Sequence, residues 1–438
     1  MPTAFVIRAT ALYFPVVTTM VLWFTQRPHK SARAGILLAC VWNLVSLFPV
    51  HMLAGHTGWW SFHAQGGLLC GLPVDLYLGW VVLWGALPLL AFPSLPLPQV
   101  ALIFFALDAI CMPRMKPMVF LGPRWWVGDI IAVALCLVPS QALGRWTRDG
   151  THLSGRAFMQ VIAFGGLVIG LVPAVILANT AGTWDALRTR PVWVTSAVLQ
   201  LLAVPAILGL SSVQEFVQRG GGTPLPYDPP KHLVTSGIYA YLANPMQVSA
   251  VVLLCGWGWY LGSLWVATAG LMAHIYSAGL AGWDEAEDAG KRFGEAWIEY
   301  RHHVRNWIPR WRPWNSGASV ARLYVSATCA TCSEVKYWFE RQGPTGMEVV
   351  SAESYAGAGL MRITYDPGDG RAQVQGVAAI ARGLQHIHFG FALFGSLVLL
   401  PGVCQLVQLL ADASGAGPRT ITSRPAAGQS EAVRFPST

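Results

Sequence analysis

Charged residues are scarce in this chain. Of its 438 residues, 11% are charged and 54% are hydrophobic, and the mean hydropathy is +0.47. Soluble domains carry about a quarter charged residues, so the composition excludes an ordinary soluble protein and indicates a polytopic membrane protein. The net charge of +8 does not indicate nucleic-acid binding, because the basic residues lie in short loops beside apolar runs, where they orient helices and meet anionic headgroups.

A signal-peptide cleavage site and a second cysteine pair are also missing. The first apolar run, 5–24, is too long for a signal-peptide core and lacks a clear cleavage site, so we expect a retained span. Six of the eight cysteines are scattered through apolar stretches and are expected to be inert. Only Cys329 and Cys332 form a Cys-x-x-Cys pair, and without a second pair zinc coordination is disfavoured.

Apolar runs near the length of a spanning helix, about 20 residues, recur along the first two thirds of the chain. They lie near 5–24, 34–53, 67–92, 97–112, 126–143, 157–178 and 192–211, and a glycine-containing hairpin near 247–281 follows. The run 97–112 is short, and the hairpin offers 35 residues for two helices. The sequence therefore predicts about eight or nine spans.

The basic residues indicate which loops face the cytoplasm. If residues 212–246 are cytoplasmic, the inside loops hold eight basic residues and the outside loops five, and the segment 291–314 adds six more inside. This distribution favours that orientation. The predicted location is a bacterial inner membrane, with residues 212–316 and the Cys-x-x-Cys region on the cytoplasmic side.

Several spaced motifs follow one another between Gly220 and Trp314. The segment reads GGGTPLPYDPPKHLVTSGIYAYLANPM, then a hydrophobic hairpin, then DEAEDAGKRFGEAWIEYRHHVRNWIPRW. Here, over residues 216–314, the chain resembles the isoprenylcysteine carboxyl methyltransferase and phospholipid methyltransferase group of integral membrane enzymes. The resemblance implies methyl transfer from S-adenosylmethionine to a lipid, isoprenoid or other amphiphilic acceptor at a membrane face.

The same resemblance implies which positions contact the cofactor. They are Lys231, His232, Leu233, Val234, Tyr239, Asn244, Pro245, Met246, Gln247 and Glu285. Gly237 would supply a tight turn, and Pro245 would mark a helix N-terminus, which favours the cofactor carboxylate. Glu285 would meet the cofactor's ammonium group or a ribose hydroxyl. Taken singly, His232, Tyr239 and Glu285 are typical of interfacial polar residues, so only the ordered set carries the functional interpretation.

Three positions depart from the family pattern. Ala243 stands where the family has an arginine before the Asn-Pro pair, Ala286 replaces the second residue of a Glu-Glu pair, and Ala281 replaces an arginine that serves the substrate of the isoprenylcysteine enzymes. The change at Ala281 argues against a prenylcysteine carboxylate as acceptor. Together the three changes leave open a cofactor-binding or lipid-binding relative without turnover.

The chain after Trp314 is polar and has soluble α/β character. Strands are predicted at 321–326, 347–351, 360–365 and 371–375, and helices at 333–342 and 376–386. The apolar segment 387–411 is either a docked helix or one more span. Cys329 and Cys332 follow a strand and open a helix, which is the setting of a thioredoxin-like redox site.

Residues 320–412 resemble thiol-disulfide oxidoreductase-like domains of the DCC type. In those domains a strand, the CxxC pair and a helix precede a β-hairpin, a Gly-x-x-Ala-Ile helix, here at 376–380, and a Leu-Pro-Gly segment, here at 400–402. The resemblance implies a thioredoxin-like fold, with Cys329 as nucleophile and Cys332 as resolving thiol toward a thiol partner protein. Gly359 and Leu360, not a proline, precede the strand expected to face the site. An inert structural pair and a metal-binding pair both stay open.

Four regions are therefore expected: an N-terminal transmembrane helical region at 1–211, a methyltransferase core with a helical hairpin at 212–316, a thioredoxin-like CxxC domain at 320–412 and a disordered tail at 413–438. The predicted fold class is an all-α polytopic membrane protein with a small C-terminal α/β thioredoxin-like domain. The predicted function is an S-adenosylmethionine-dependent membrane methyltransferase. The alternatives are a membrane-anchored thiol-disulfide oxidoreductase using Cys329 and Cys332, and a non-catalytic relative.

Overall fold

Apolar helices dominate the described part of the protein. The computed structural model describes residues 3–180, 182–224, 228–317, 319–355 and 359–419, so most of the predicted disordered tail lies outside the described residues. Within these ranges seven helices are long and apolar enough to cross a membrane. They are α1 (Ala4–Gln26), α2 (Lys30–Thr57), α3 (Val74–Ala91), α4 (Leu97–Arg114), α5 (Trp125–Asp149), α6 (Leu153–Asn179) and α7 (Val192–Gly220). Each coincides with a predicted apolar run, and the short run at 97–112 extends to Arg114.

The predicted hairpin forms two shorter helices, α8 (Pro245–Leu261) and α9 (Leu264–Tyr276). They hold 17 and 13 residues, fewer than the about 20 that a full span needs. Gly262 adopts φ +69° between them, and the Ser263 hydroxyl accepts the Val266 amide at the start of α9. Among the described residues, the helices able to cross a membrane therefore number seven, or eight if a bent C-terminal pair is one span, compared with the eight or nine predicted. A wide helical turn then leads into α10 (Gly282–Phe293) and α11 (Glu295–His303).

Contacts group the chain into two compact units, and neither is a single stretch. Unit 1 comprises Met1–Ala206, Phe216–Leu233 and Gln247–Glu285. Unit 2 comprises Ile207–Glu215, Val234–Met246 and Ala286–Thr438. The domain boundaries predicted from the sequence stay a prediction.

Glycine permits the closest helix contacts in unit 1. A Cβ atom at Gly35 on α2 would lie 2.3 Å from the carbonyl oxygen of Gly144 on α5, and a Cβ atom at Gly79 on α3 would lie 2.0 Å from that of Ala11 on α1. Small residues let membrane helices pack backbone to backbone in this way. Trp84 is fully buried in the core that these helices share.

Two small antiparallel pairs lie in the loops that join these helices. The first joins β1 (Trp60–Phe62) to β4 (Val119–Leu121), with Trp60 opposite Leu121. The second joins β2 (Leu68–Leu69) to β3 (Leu72–Pro73). Both lie at the end of unit 1 where α1 and α3 begin and α4 ends.

Unit 2 contains the C-terminal sheet. Its strands are β5 (Ala321–Val325), β6 (Met347–Ser351), β7 (Thr364–Asp366) and β8 (Val374–Gln375), in the order β6-β5-β7-β8. β5 pairs with β6 in parallel and with β7 antiparallel, and β8 is antiparallel to β7. The helix between β5 and β6 is α12 (Ala330–Gln342). The described chain is thus mostly helical with a small C-terminal sheet, as predicted.

The C-terminal elements differ in detail from the predicted bounds. Helix α12 begins at Ala330 instead of residue 333, because Cys329 is already its extended N-terminal cap and its carbonyl accepts the Ser333 amide. The last two strands are shorter than predicted. The side chains of Asp366 and Asp369 accept amides two residues further on, so Asx turns take this segment out of the strand ladder.

Three helices complete unit 2: α13 (Val377–Leu384), α14 (Phe389–Leu399) and α15 (Val403–Ala411). The apolar segment 387–411 is therefore two helices, with a bend of 90° between α14 and the segment that begins at Val403. Pro401 and Gly402, whose φ is +84°, lie at the bend. Helix α14 packs on α13 closely enough that a Cβ atom at Gly395 would lie 2.4 Å from the Ala381 carbonyl oxygen.

Candidate functional site

The Gly/Pro-rich loop after α7 is folded back on itself in unit 1. The amides of Lys231 and His232 donate to the carbonyl oxygen of Gly220 at 2.7 and 3.3 Å, and the Thr223 amide donates to Asp228 O at 2.9 Å. A Cβ atom at Gly222 would lie 2.8 Å from that same Asp228 oxygen. Glycine at 222 is what allows the two sides of the loop to approach.

An ion pair fixes this loop to the first turn of α6. The buried Arg156 guanidinium donates to the Asp228 carboxylate at 2.6 Å and to the Thr151 carbonyl oxygen at 2.8 Å. A charge-assisted hydrogen bond of this kind is stronger than a neutral one. The loop that carries Lys231 and His232 is therefore held at a defined place in unit 1.

A short helical turn and the start of α8 position the next predicted residues in unit 2. The turn Gly237–Ala240 begins with Gly237 at φ +59°, a conformation that favours glycine, and Pro245 is the first residue of α8. The tight turn and the helix N-terminus expected at these two positions are both present. Tyr239 and Asn244, between them, are buried.

The segment after α11 holds the backbone of this turn. The Ala243 amide donates to Arg305 O at 2.9 Å, the Arg310 amide to Tyr241 O at 3.0 Å, and the Trp314 amide to Ala240 O at 2.8 Å. The Tyr300 hydroxyl donates to the Tyr239 carbonyl oxygen at 2.8 Å. Because buried backbone groups need partners, these bonds explain how an irregular segment can be ordered. These bonds also join residues 239–243, which precede the hairpin in the chain, to residues 300–314, which follow it.

A buried charge network that the sequence did not predict lies beneath the turn. Glu215, near the end of α7, is 4% exposed, and Arg382 of α13 is 7% exposed. The Glu215 carboxylate accepts hydrogen bonds from Arg382 at 2.6 Å and from the Ser236 hydroxyl at 2.7 Å. Gln385 accepts from Arg382 at 3.1 Å and donates to the Ser396 hydroxyl at 2.8 Å. Burial works to lower the pKa of Arg382, but the Glu215 carboxylate outweighs burial and raises it.

The predicted cofactor positions fall in both units. Unit 1 holds Lys231, His232, Leu233, Gln247 and Glu285, and unit 2 holds Val234, Tyr239, Asn244, Pro245 and Met246. The side chains of Lys231 and His232 are exposed. Glu285 lies in α10, but its side chain lies outside the description, as do those of Ala281 and Ala286.

Cys329 and Cys332 lie at the N-terminal end of α12, and both thiols are free and half-buried. Hydrogen bonds from the Cys332 amide and thiol lower the pKa of Cys329. Burial, with the hydrogen bond to Cys329 and the charge on it, raises the pKa of Cys332 to about 11. The two thiols thus differ in acidity, and Cys329 is the more readily deprotonated. Among the described residues, no group of three His, Cys, Asp or Glu side chains could hold a metal ion.

One carboxylate organises the loop before the pair. Glu353 accepts hydrogen bonds from the hydroxyls of Ser326 and Ser351 at 2.7 and 2.6 Å and from the amides of Ala327 and Thr328 at 3.0 and 3.2 Å. Partial burial works to raise the pKa of Glu353, but these hydrogen bonds outweigh it and hold the pKa well below its usual value. Sequence reasoning missed this residue, because no motif marks it.

The sequence model of the phospholipid methyltransferase family matches residues 197–286, about a fifth of the chain. No curated protein and no solved structure matches the chain. The matched segment begins in α7 and ends in α10, so it contains the Gly/Pro-rich loop, the turn at Tyr239 and the hairpin. This similarity and the seven apolar helices support a multi-pass membrane methyltransferase. They do not favour the alternative in which the helical part only anchors a thiol-disulfide oxidoreductase.

Proposed function

We propose that the protein transfers a methyl group from S-adenosylmethionine to a lipid, isoprenoid or other amphiphile. The observation that carries the proposal is the family match at 197–286, because it includes the positions from Lys231 to Gln247 and reaches Glu285. When bound, the cofactor supplies a methyl group activated by a sulfonium charge. The chain then contributes mainly positioning and exclusion of water.

The residues present suit this cofactor chemically. Its amino-acid end is a zwitterion, and the chain offers an exposed cation at Lys231, a carboxylate at Glu285 and the N-terminus of α8 at Pro245. The first amides of a helix have no acceptor within the helix, so they attract a carboxylate. The buried Asn244 amide adds groups that can bind the ribose or the adenine.

The acceptor is proposed to be uncharged or amine-bearing. Ala281 removes the arginine that the isoprenylcysteine enzymes use, so a carboxylate acceptor would have no cation at that position. An apolar acceptor reaches a membrane-face site through the bilayer, while the soluble cofactor arrives from the aqueous side. We propose that this side is the cytoplasm of a bacterial cell, given the excess of basic residues in the same set of loops.

Calorimetry on the detergent-extracted protein tests the proposal. We expect S-adenosylmethionine to bind, and Glu285→Ala to weaken binding roughly ten- to a hundredfold, since losing a charged hydrogen-bond partner costs about 1.5–3 kcal/mol. Glu287→Ala is a matched control, because Glu287 forms an exposed pair with Lys291 on the same helix. Absence of binding to the wild type, or equal binding by both variants, would contradict the proposal. A radiolabelled-methyl assay over a panel of lipids should then rank farnesylcysteine below an amine-bearing lipid.

A second activity is favoured by the unequal thiols of Cys329 and Cys332. We infer that the C-terminal sheet is a thioredoxin-like fold with a redox-active pair. Its order of strand, CxxC, helix, strand and hairpin follows the order that the DCC resemblance implies. The Cys329 thiolate would attack a partner's disulfide and release one thiolate. Cys332 would then attack the Cys329 sulfur, closing a disulfide and passing two electrons to the partner.

Reduction of insulin with dithiothreitol as electron source tests this activity. We expect Cys329→Ser to abolish it, because the nucleophile is lost, while Cys404→Ser leaves it unchanged. A wild-type protein that does not accelerate insulin reduction would show the pair to be structural. Loss of methyl transfer in a folded variant lacking both thiols would instead make the pair part of the methyltransferase mechanism.

A further inference from the structure

A cavity of about 320 Å³ lies in unit 1 between α1, α3 and α4. Its wall is formed by apolar side chains from the first turns of α1 and α3, the last turns of α4 and the strands β1 and β4. Only Thr10, Asp108, Cys111 and Arg114 interrupt this apolar wall. The volume is in the range of small-ligand pockets, which are typically apolar with a few polar groups that orient the ligand.

Asp108 is the unusual member of the wall. It lies inside the apolar helix α4 and is 5% exposed, and its Oδ2 atom has no hydrogen-bond partner among the described residues. A carboxyl group in this setting is costly unless something pairs with it. For this reason, an ionisable residue within a membrane span suggests a binding or transport site.

A second buried carboxyl group lies near the first. Asp129 lies on α5, which packs against α4, and is 1% exposed with neither carboxyl oxygen paired in the described part of the chain. The two carboxyl groups interact electrostatically. Two arginines at this end of unit 1 have other partners. Arg8 donates to Asp75, and Arg114 donates to the Ile110 carbonyl oxygen.

This cavity is separate from the Gly/Pro-rich loop. The cavity lies where α4 ends and α5 begins, whereas the loop is fixed to Arg156 at the start of α6, which follows the other end of α5. The two features therefore occupy opposite ends of the helices of unit 1. An occupant of the cavity does not belong to the proposed cofactor site.

We propose that the cavity binds an amphiphile with a single saturated chain and a primary amine, with the chain against the apolar wall and the amine donating to Asp108. An apolar wall selects a hydrocarbon chain by burial, and an unpaired carboxyl group beside a second one selects a cationic donor. The proposal concerns a second lipid site and stands whether or not the protein transfers methyl groups.

Photolabelling of the full-length protein in lipid nanodiscs tests this site. The probes are hexadecylamine, hexadecanol and palmitic acid, each carrying the same diazirine in the chain. We expect the amine to label α1 and α4 most strongly, with excess unlabelled hexadecylamine competing. Asp108→Asn should reduce amine labelling roughly tenfold or more, because an amide cannot form the ion pair that a carboxyl group forms when it gives its proton to an amine. Asp149→Asn, an exposed carboxylate at the other end of α5, is the matched control.

A second variant separates loss of recognition from loss of fold. Asp108→Leu should abolish the preference for the amine while labelling by the hexadecanol probe is retained, which requires an intact cavity. Equal labelling by all three probes, unchanged amine labelling in Asp108→Asn, or labels spread beyond α1, α3, α4, β1 and β4 would each overturn the proposal.

Discussion

The two units differ in how many of their buried polar atoms lack a hydrogen-bond partner. Among the residues that the structure describes, every buried side-chain oxygen or nitrogen without a hydrogen-bond partner lies in unit 1, except Oε1 of Gln214. Unit 1 leaves both carboxyl oxygens of Asp129 and both amide atoms of Asn43 unpaired. Unit 2 buries Glu215 and Arg382 as a pair and extends the pair through Gln385 to Ser396.

Paired and unpaired buried groups have different consequences for structure and for ligand binding. A fully paired buried network fixes the relative positions of its members and is disrupted by losing any one of them. An unpaired buried group in a membrane helix has no water to compensate it, so it lowers stability unless a ligand supplies the partner. An unpaired group that lines a cavity, such as Asp108, is thus a candidate for ligand binding, whereas the network of unit 2 indicates fixed geometry.

The largest expected effect comes from breaking the pair in unit 2. Arg382→Met leaves the Glu215 carboxylate buried without its arginine partner, and breaking a buried ion pair typically costs about 3–5 kcal/mol of unfolding free energy. Denaturant titration in detergent micelles, followed by tryptophan fluorescence, measures the loss. Arg371→Met is the matched control, since Arg371 is exposed in a weak pair and should change stability by less than about 0.5 kcal/mol.

The double variant Glu215→Met/Arg382→Met sharpens this test. Replacing both charges by apolar side chains removes the uncompensated carboxylate, so most of the lost stability should return. A loss below about 1 kcal/mol in Arg382→Met would show that water reaches the pair, and the contrast between the units would fail.

A change of opposite sign is expected for Asn43→Leu on α2. Asn43 is fully buried, neither of its amide atoms has a hydrogen-bond partner in the part of the chain that the structure describes, and leucine is similar in size. Removing an unsatisfied buried amide should therefore raise the unfolding free energy by about 1–3 kcal/mol. Asn179→Leu, at the exposed end of α6, should be nearly neutral. A clear loss of stability in Asn43→Leu would mean that the amide has a structural partner after all.

The smallest expected effect comes from Glu353, which is paired but only partly buried. Glu353→Gln should lower stability by about 1 kcal/mol, because hydrogen bonds to a charged acceptor exceed those to a neutral one by about that amount. Cys332 should then react faster with iodoacetamide at pH 9, since a neighbouring negative charge no longer raises its pKa. Glu348→Gln, an exposed carboxylate in a long pair with Arg322, is the control.

The pH dependence of the same variant has a defined sign. Because the folded pKa of Glu353 lies below its usual value, its stabilising effect is present above the unfolded pKa of about 4.3. The effect is lost as the pH falls through the folded value. The difference between wild type and Glu353→Gln should therefore shrink as the pH falls below about 4. A difference that grows in acid would contradict the role given to Glu353.

The sequence predicts the individual helices and strands, but it does not predict side-chain pairs between residues that are far apart in the chain. All seven helices long enough to span a membrane follow predicted apolar runs, and the strand at 347–351 has the predicted bounds. Glu215 is the single acidic residue of α7, a signal that could have marked it. Its partner Arg382, however, is 167 residues away, and no spacing rule connects them. Glu353 likewise binds a loop that lies 25 to 27 residues earlier in the chain, and no motif connects the two.

The contact between Gly35 and Gly144 also constrains how the protein is made. Helix α2 precedes α5 in the chain, so this contact cannot form before α5 has been synthesised. A Cβ atom at Gly35 would lie 2.3 Å from the Gly144 carbonyl oxygen. The backbones of α2 and α5 can therefore approach this closely only because residue 35 is glycine. A segment that ends before α5 therefore lacks the surface against which Gly35 packs.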